Sequence, residues 1–204
     1  MVEGQARHVL DTGIGDTMKI IDLLPENRDV VRQAATLLVE VFRERHPNAW
    51  PDMESALEEV HESFADNRIS RIAVDDAGLV LGWIGGIGAE HYKGSSWELH
   101  PLVVRPDYQR RGIGRALVAD LEDLIRERGG LTIWLGSDDE DNQTSLGGVD
   151  LYPDALDSLA NIRNLDNHPY EFYQKLGFAI VGVIPDANGF GKPDILMAKR
   201  VGQG

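Results

Sequence analysis

Apolar residues recur at helical spacing in several parts of the chain and predict helices there. Asp52 can cap one of these helices, Pro169 suits the first turn of another, and Gly129 and Gly177 stand where two helices end. Short runs rich in β-branched and aromatic residues predict strands between them. The predicted helices span residues 27–45, 53–64, 114–128, 154–162 and 169–176, and the predicted strands span 18–23, 71–74, 79–87, 97–104, 131–135, 178–184 and 194–200.

The order of these elements predicts the fold class. A strand is followed by two helices, three strands, a helix, a strand, further helices and two closing strands. This alternation is typical of an α/β (α+β) fold with a mixed central β-sheet and helices on both faces. We expect the strand at 18–23 to lie at the edge of the sheet. The glycines of the strand at 79–87 indicate a place where two backbones approach closely.

Length and composition favour one domain. The chain has 204 residues, enough for a substantial core. We expect a single domain over 18–204, preceded over 1–17 by a flexible N-terminal extension or a remnant of an expression leader. No apolar run is long enough to cross a membrane. The sequence contains no cysteine, which excludes disulfides, thiolate metal sites and a cysteine nucleophile and favours a cytoplasmic location.

The charge balance narrows the choice of partner. The chain carries 34 Asp and Glu against 20 Lys and Arg, a net charge of −14. Such a field repels nucleic acid and anionic membranes and attracts cations, although it also serves solubility alone. Nine acids and only one basic residue, Arg163, fall between residues 138 and 171. The acidity is therefore concentrated on a local surface.

The stretch 97–115, WELHPLVVRPDYQRRGIGR, joins an unusual strand to a glycine loop and a helix. Because side chains alternate along a strand, Glu98, His100 and Leu102 are predicted to share one face. Pro101 cannot donate to a sheet ladder, so either an extended amide ligand pairs with the strand there, or this is an edge strand that tolerates proline. The QRRGIG loop offers backbone N–H groups and arginines to an anion such as a pyrophosphate.

The loop and its setting resemble the acetyl-CoA signature of the GNAT acetyltransferases, Q/R-x-x-G-x-G/A, and fit neither a Walker A loop nor a Rossmann fingerprint. Further blocks, WELHPLVV, DLY, HPYEFYQKLGF and VGVIPDANGFGKPDILMAK, resemble the aminoglycoside 6′-N-acetyltransferases. Within that family they are most similar to the intrinsic Gram-positive branch. The resemblance covers about residues 18–201.

This resemblance implies a GNAT fold with a splayed mixed sheet and a direct transfer, in a ternary complex, of the acetyl group of acetyl-CoA to the 6′-amine of an aminoglycoside antibiotic. It also implies a role in antibiotic resistance and a homodimer, since the family is often dimeric. Trp50 would border the sugar site. The residues implied for binding acetyl-CoA are Leu102, Val103, Val104, Gln109, Arg110, Arg111, Gly112, Ile113, Gly114 and Arg115.

Three side chains are implied to act in catalysis. Glu98 either takes a proton from the substrate amine or anchors it as an ammonium. His100 relays that proton or positions the substrate. Tyr173 donates to the departing thiolate, since a phenol and a thiol have intrinsic pKa values of roughly 8.5–10. A free backbone N–H near residues 102–104 is expected to hold the negative oxygen that forms during the reaction.

Asp138 and Asp139 begin an acidic run after the strand at 131–135 and are predicted to attract the ammonium groups of the substrate. The run lacks an EF-hand pattern, and no metal is expected. Two other functions stay open at this stage. One is a GNAT enzyme that acts on another cationic amine, such as a polyamine or a peptide or protein amine, and the other is a non-catalytic acyl-CoA-binding protein.

Overall fold

The computed structural model describes residues 9–11, 17–43 and 49–202. The chain divides into two compact units, Met1–Leu131 with Gly204, and Thr132–Gln203. The division falls inside the single domain predicted for 18–204, which stays a prediction. None of the described helices is both long enough and apolar enough to cross a membrane.

The first unit is an antiparallel sheet with helices. Its strands follow the order β1-β2-β3-β4-β5, and two short 3-10 helices, Glu90–Tyr92 and Pro106–Tyr108, flank β5. The bounds are β1 Val9–Asp11, β2 Thr17–Asp22, α1 Arg28–Phe42, α2 Met53–Glu62, β3 Arg68–Val74, β4 Val80–Gly88, β5 Ser96–Val104 and α3 Ile113–Glu127.

The N-terminal strand changes one expectation about the sheet. β1 pairs antiparallel with β2, with Val9 opposite Lys19. The strand predicted at 18–23 is therefore not at the edge of the sheet, and part of the segment predicted as an extension forms a strand. Apolar periodicity could not reveal this pairing, because a three-residue strand is too short to show a pattern.

The first two helices begin within one residue of their predicted starts, and a side chain caps each of them. The Asn27 side chain accepts a hydrogen bond from the Val30 backbone N–H at 3.3 Å. Asp52 and Ser55 form a capping box at the start of α2, with the Ser55 N–H donating to the Asp52 carboxylate at 2.9 Å. Helix α1 ends at Phe42, and its predicted end at residue 45 lies outside the described residues.

Helices cover both faces of this sheet, as predicted. Trp83 of β4 and Val103 of β5 belong to a buried cluster with α1 and α2. On the other face, a Cβ placed on Gly82 would lie 3.0 Å from Leu117 of α3. The buried Arg71 of β3 also points to α3, where its guanidinium pairs with Asp120 at 2.7 Å. Because both charges are buried and paired, this contact fixes α3 against the sheet.

The second unit carries the remaining strands in the antiparallel order β6-β8-β7. Its predicted short helices and closing hairpin are confirmed to within a few residues. The bounds are β6 Thr132–Asp138, α4 Ala155–Ala160, α5 Tyr170–Lys175, β7 Ala179–Ile184 and β8 Asp194–Arg200. Gly177, in the left-handed conformation at φ +91°, follows the end of α5.

Candidate active site

An irregular pairing of β4 with β5 shapes the site in the first unit. The ladder is interrupted opposite Gly85, where two residues of β5, His100 and Pro101, face one residue of β4. A Cβ on Gly85 would lie 2.2 Å from the His100 carbonyl oxygen, far inside contact distance. Glycine is therefore required on β4 for the bulge on β5, as the close approach predicted from the glycine-rich strand implies.

The bulge also changes which side chains share a face. Pairing resumes at Leu102, which lies opposite Ile84, and Ile84 points to the same face as Gly82 because side chains alternate along β4. That face packs against Leu117 of α3. His100 instead contacts α2. The prediction that Leu102 shares a face with His100 is wrong, since the extra residue of the bulge reverses the alternation.

Helix α2 contributes a carboxylate that the sequence pattern did not single out. The Glu59 Oε1 atom lies 3.7 Å from Nε2 of His100, and their side chains are 17% and 41% exposed. Trp50 stands over the same imidazole, with ring centroids 5.9 Å apart, and is itself held edge-on by Phe42 at 4.7 Å. Glu98 is half-buried two residues before His100 on β5. Trp50 and His100, both predicted for the site, are therefore neighbours, and Glu98 lies close to His100 on the same strand.

These neighbours shift the pKa values of the three titratable groups. The pairing with Glu59 raises the pKa of His100, against the opposing effect of partial burial. The same pairing lowers the pKa of Glu59. Burial raises the pKa of Glu98, and the charges of His100 and Arg68 only partly offset this increase. Glu98 is consequently a stronger base than an exposed glutamate, which suits a group that accepts a proton.

The glycine loop leads into α3 in the geometry of an anion site. Gly112 occupies the N-cap position in the left-handed conformation at φ +86°, and no side chain of the described residues caps the helix there. The first turn of α3 contains no acidic residue. Arg110, Arg111 and Arg115 are exposed, and the Arg111 guanidinium lies 4.9 Å from the centre of the Tyr108 ring. Uncapped N–H groups, the helix dipole and three arginines together favour a phosphate.

Some residues predicted to bind acetyl-CoA can contribute only through the backbone. The side chains of Val103 and Ile113 are buried in the core, at 2% and 1% exposure. The Gln109 side chain donates to the Val104 carbonyl oxygen at 3.1 Å and so ties the loop to the end of β5. Leu102 and Gly114 are half-buried.

The two acids predicted to attract the substrate differ in their surroundings. Asp139 is fully buried, and its carboxylate accepts hydrogen bonds from the Gln143 N–H at 2.6 Å, the Thr144 N–H at 2.9 Å and the Thr144 hydroxyl at 2.7 Å. Asp138 is exposed and accepts a hydrogen bond from the Asn188 side chain. Asp139 therefore closes the loop after β6, and Asp138 is the acid that faces solvent.

Tyr173 lies on α5 in the second unit. Its half-buried ring packs edge-on against Phe172 and Phe178, with centroids 5.1 Å and 5.7 Å away. Burial raises the pKa of the Tyr173 phenol well above its usual range. The phenol accordingly stays neutral at all ordinary pH values and can act as a hydrogen-bond donor.

The sequence pattern does not reveal Glu59 or the particular role of Gly85. Glu59 is one of several acids on α2, and only its position beside the buried Val60, on the side toward β5, distinguishes it. Gly85 is one of four glycines in β4, and only the register shows that it lies opposite the bulge. Neither property is visible in composition or spacing. Among the described residues, no group of three or more His, Asp or Glu is arranged to hold a metal ion.

Comparison with known proteins identifies similar chains. The model of the acetyltransferase (GNAT) family matches residues 35–152. A solved aminoglycoside 6′-N-acetyltransferase in complex with coenzyme A is 43% identical, covers 89% of this chain and 96% of its own, and superposes with a TM-score of 0.80. The aminoglycoside 6′-N-acetyltransferase from Enterococcus faecium has the same identity and coverage, with a TM-score of 0.79. The GNAT fold and the predicted family are thereby confirmed.

A shorter match connects the chain to a protein-modifying enzyme. The ribosomal protein bS18-alanine N-acetyltransferase of Escherichia coli is 51% identical over 37 residues. That segment covers 18% of this chain and 25% of the relative, so the match spans only a quarter of the curated protein's length. It supports the shared family and says little about the substrate.

Proposed function

The chain belongs to the GNAT acetyltransferase family, within the group of the aminoglycoside 6′-N-acetyltransferases, and we propose that it transfers the acetyl group of acetyl-CoA to the 6′-amine of aminoglycoside antibiotics, with antibiotic resistance as the outcome. The observation that carries this proposal is the cluster of Glu98, His100 and Trp50 at the bulge of β5. The half-buried Glu98 carboxylate, with its raised pKa, can bind and deprotonate an ammonium group, and the Trp50 ring near His100 offers a surface to a cationic amino sugar.

Acetyl-CoA supplies an acetyl group activated as a thioester, and the residues of the first unit fit its carrier. The uncapped N–H groups at the start of α3 offer hydrogen bonds to the pyrophosphate. The exposed Arg110, Arg111 and Arg115 add positive charge in a protein of net charge −14. The side chain of Leu102 and the backbone of Val103 and Val104 line the end of β5 nearest the loop.

Glu98 binds the ammonium group of the acceptor and receives one of its protons. The amine nitrogen then forms its bond to the acetyl carbon while the bond from that carbon to sulfur breaks. The second proton of the nitrogen leaves with the sulfur, so the products are an amide and a free thiol. His100 and Trp50 orient the sugar that carries the amine, and orientation of this kind lowers the barrier by holding the reacting atoms in line.

Tyr173 and Asp138 are the proposed contributors from the second unit. Because its pKa is raised, the Tyr173 phenol is a poor proton donor, and we assign it a hydrogen bond to the leaving sulfur in place of full proton transfer. The exposed Asp138 attracts the remaining ammonium groups of the antibiotic. Asp139 has no part in the proposal, because three internal donors already occupy its carboxylate.

We also propose a homodimer and a cytoplasmic location. The closing hairpin of the second unit exposes large apolar side chains, with Val181 of β7 at 62% exposure and Phe190 of the connecting turn at 80%. Exposed apolar surface of this kind is typical of a contact with another chain. Analytical ultracentrifugation of the wild type and of Val181→Lys tests the dimer, since the charged variant is expected to sediment as a monomer.

The release of coenzyme A thiol tests the function. We expect purified protein to release thiol from acetyl-CoA with kanamycin or tobramycin, which carry a free 6′-amine, and not with spermidine or with a peptide that begins with alanine. Tyr173→Phe should slow this turnover while the affinity for acetyl-CoA stays nearly unchanged. Turnover of spermidine or the peptide without turnover of the antibiotics would overturn the substrate, and binding of acetyl-CoA without any turnover would indicate a non-catalytic protein.

A further inference from the structure

The predicted site includes His100 but not Glu59, the carboxylate on α2 that contacts the His100 ring. Glu59 lies on α2 and reaches across to β5, where its Oε1 atom is 3.7 Å from His100 Nε2. The Glu59 side chain is 17% exposed, so it points toward the sheet and away from solvent. Glu58, its neighbour on the same helix, is exposed. Of these two neighbouring glutamates, only Glu59 is oriented toward His100, so the contact depends on its position on α2 and not on the number of acids in the helix.

Charged groups on three elements face the His100 ring. Glu59 lies on α2, Glu98 precedes His100 on β5, and Arg68 begins β3. The pairing with Glu59 dominates and raises the pKa of His100; partial burial and Arg68 oppose it, and Glu98 acts in the same direction as Glu59. The Trp50 ring is tilted by 41° against the imidazole, with the two ring centroids 5.9 Å apart.

We propose that Glu59 is a positioning residue that holds the His100 ring as an imidazolium, so that His100 donates a hydrogen bond to the acceptor substrate and Glu98 alone receives the proton of the amine. This inference rests on the proposed function for the identity of the substrate. The contact between Glu59 and His100 involves only residues of this chain, so its effect on the imidazole can be measured without substrate.

The charge of the ring decides what His100 can do. An imidazolium carries a proton on both nitrogens and has no lone pair with which to accept another. It can donate to a hydroxyl or ring oxygen of an amino sugar, both of which accept hydrogen bonds. With Glu59 and Glu98 ionised and His100 protonated, the three groups carry one net negative charge, which an incoming ammonium group neutralises. The proton of that ammonium passes to Glu98, and the nitrogen lone pair that is left attacks the acetyl carbon.

An NMR titration of His100 tests the positioning role without substrate. We expect the wild-type His100 midpoint to lie above 6.5, the ordinary value for histidine. Glu59→Gln should lower this midpoint by about one unit, because the nearest opposite charge is lost and the remaining exposure of the ring screens part of the effect. Glu58→Gln removes the same charge from an exposed position on α2 and should shift it by less than about 0.2 unit. An unchanged or raised midpoint in Glu59→Gln would overturn the proposal.

The pH profile of kcat/KM then tests whether Glu98 accepts the proton while His100 donates a hydrogen bond. The active form needs an ionised Glu98 and a protonated His100, so activity should fall as pH drops through the Glu98 pKa and as pH rises through the His100 pKa. Glu59→Gln should move the alkaline limb to lower pH by the shift measured in the titration, and in a His100→Gln background it should move nothing. An alkaline limb that stays in place while the His100 midpoint shifts would refute the donor role.

These outcomes separate failure of the inference from failure of the proposed function. If no aminoglycoside is acetylated, the proposed function fails, and the titration of His100 still decides whether Glu59 sets its charge. If an aminoglycoside is acetylated and the titration of Glu59→Gln matches that of the wild type, the function stands and the positioning role is lost.

Discussion

Two acidic side chains of this chain, Glu98 on β5 and Asp139 after β6, look equally suited to a cationic substrate in the sequence and differ completely in the structure. Glu98 is half-buried and faces titratable neighbours, and burial raises its pKa. Asp139 is fully buried and accepts three hydrogen bonds from Gln143 and Thr144. One carboxylate keeps its lone pairs for a ligand, and the other uses them to close a loop.

The comparison separates a group that costs stability from one that provides it. A glutamate whose pKa is raised on folding is destabilised in its ionised form, so its contribution to stability improves as pH falls through the folded pKa and is lost as pH rises. Asp139 satisfies donors that would otherwise be buried without partners, and their loss is costly. Substitution of a functional carboxylate is therefore expected to lower kcat/KM, and substitution of a structural carboxylate is expected to lower the free energy of unfolding.

The largest effect is expected from Glu98→Gln. Glutamine keeps the shape and removes the proton acceptor, so kcat/KM should fall by about 10²- to 10⁴-fold. The midpoint of urea unfolding at neutral pH should stay the same or rise, because a partly buried charge is removed. Steady-state kinetics and urea titration measure the two quantities.

The matched control for this change is Glu58→Gln, which removes the same charge from the exposed side of α2. It should leave kcat/KM within about threefold of the wild type, because an exposed charge is screened. If Glu98→Gln retained most of its activity, the carboxylate would be at most an anchor for the substrate.

A smaller effect is expected from Gly85→Ala, which disturbs the backbone that presents Glu98 and His100. The added Cβ would lie 2.2 Å from the His100 carbonyl oxygen, so the bulge must move. Displacing the site by a fraction of an ångström should lower kcat/KM by about 10- to 100-fold. Gly182→Ala on β7 is the control, since its nearest neighbour, Leu196, is 3.5 Å away, an ordinary contact. Equal activity of the two variants would show that the bulge does not position the site.

The smallest effect on turnover is expected from Asp139→Asn. The new amide group donates where the Gln143 or Thr144 N–H also donates, so the free energy of unfolding should fall by about 1–3 kcal/mol. The kcat of the folded variant should change by less than about threefold, in contrast to Glu98→Gln. Urea unfolding beside Asp141→Asn, an exposed neighbour with the same change of charge, provides the reference. A loss of kcat as large as that of Glu98→Gln would show that Asp139 takes part in catalysis or substrate binding.

The features that sequence predicted are those with a local signature. Asp52 marks the start of its helix in the sequence, because capping involves residues only two or three apart. The glycine loop indicates an anion site because its glycines and arginines are adjacent in the sequence. The pairing of β1 with β2 was missed, and Leu102 was assigned to the wrong face, because both depend on strand register. The contact of Glu59 with His100 joins α2 to β5 across the fold, and no spacing along the chain records it.

Glu98 and His100 are proposed to serve a 6′-amine, and one matched pair of antibiotics tests this role. Neomycin and paromomycin differ only in carrying an amine or a hydroxyl at the 6′ position. The release of coenzyme A thiol, followed at equal concentrations of the two compounds, is predicted to be rapid with neomycin and absent with paromomycin. Equal rates with both would place the acetylated nitrogen elsewhere on the antibiotic and contradict a 6′-acetyltransferase.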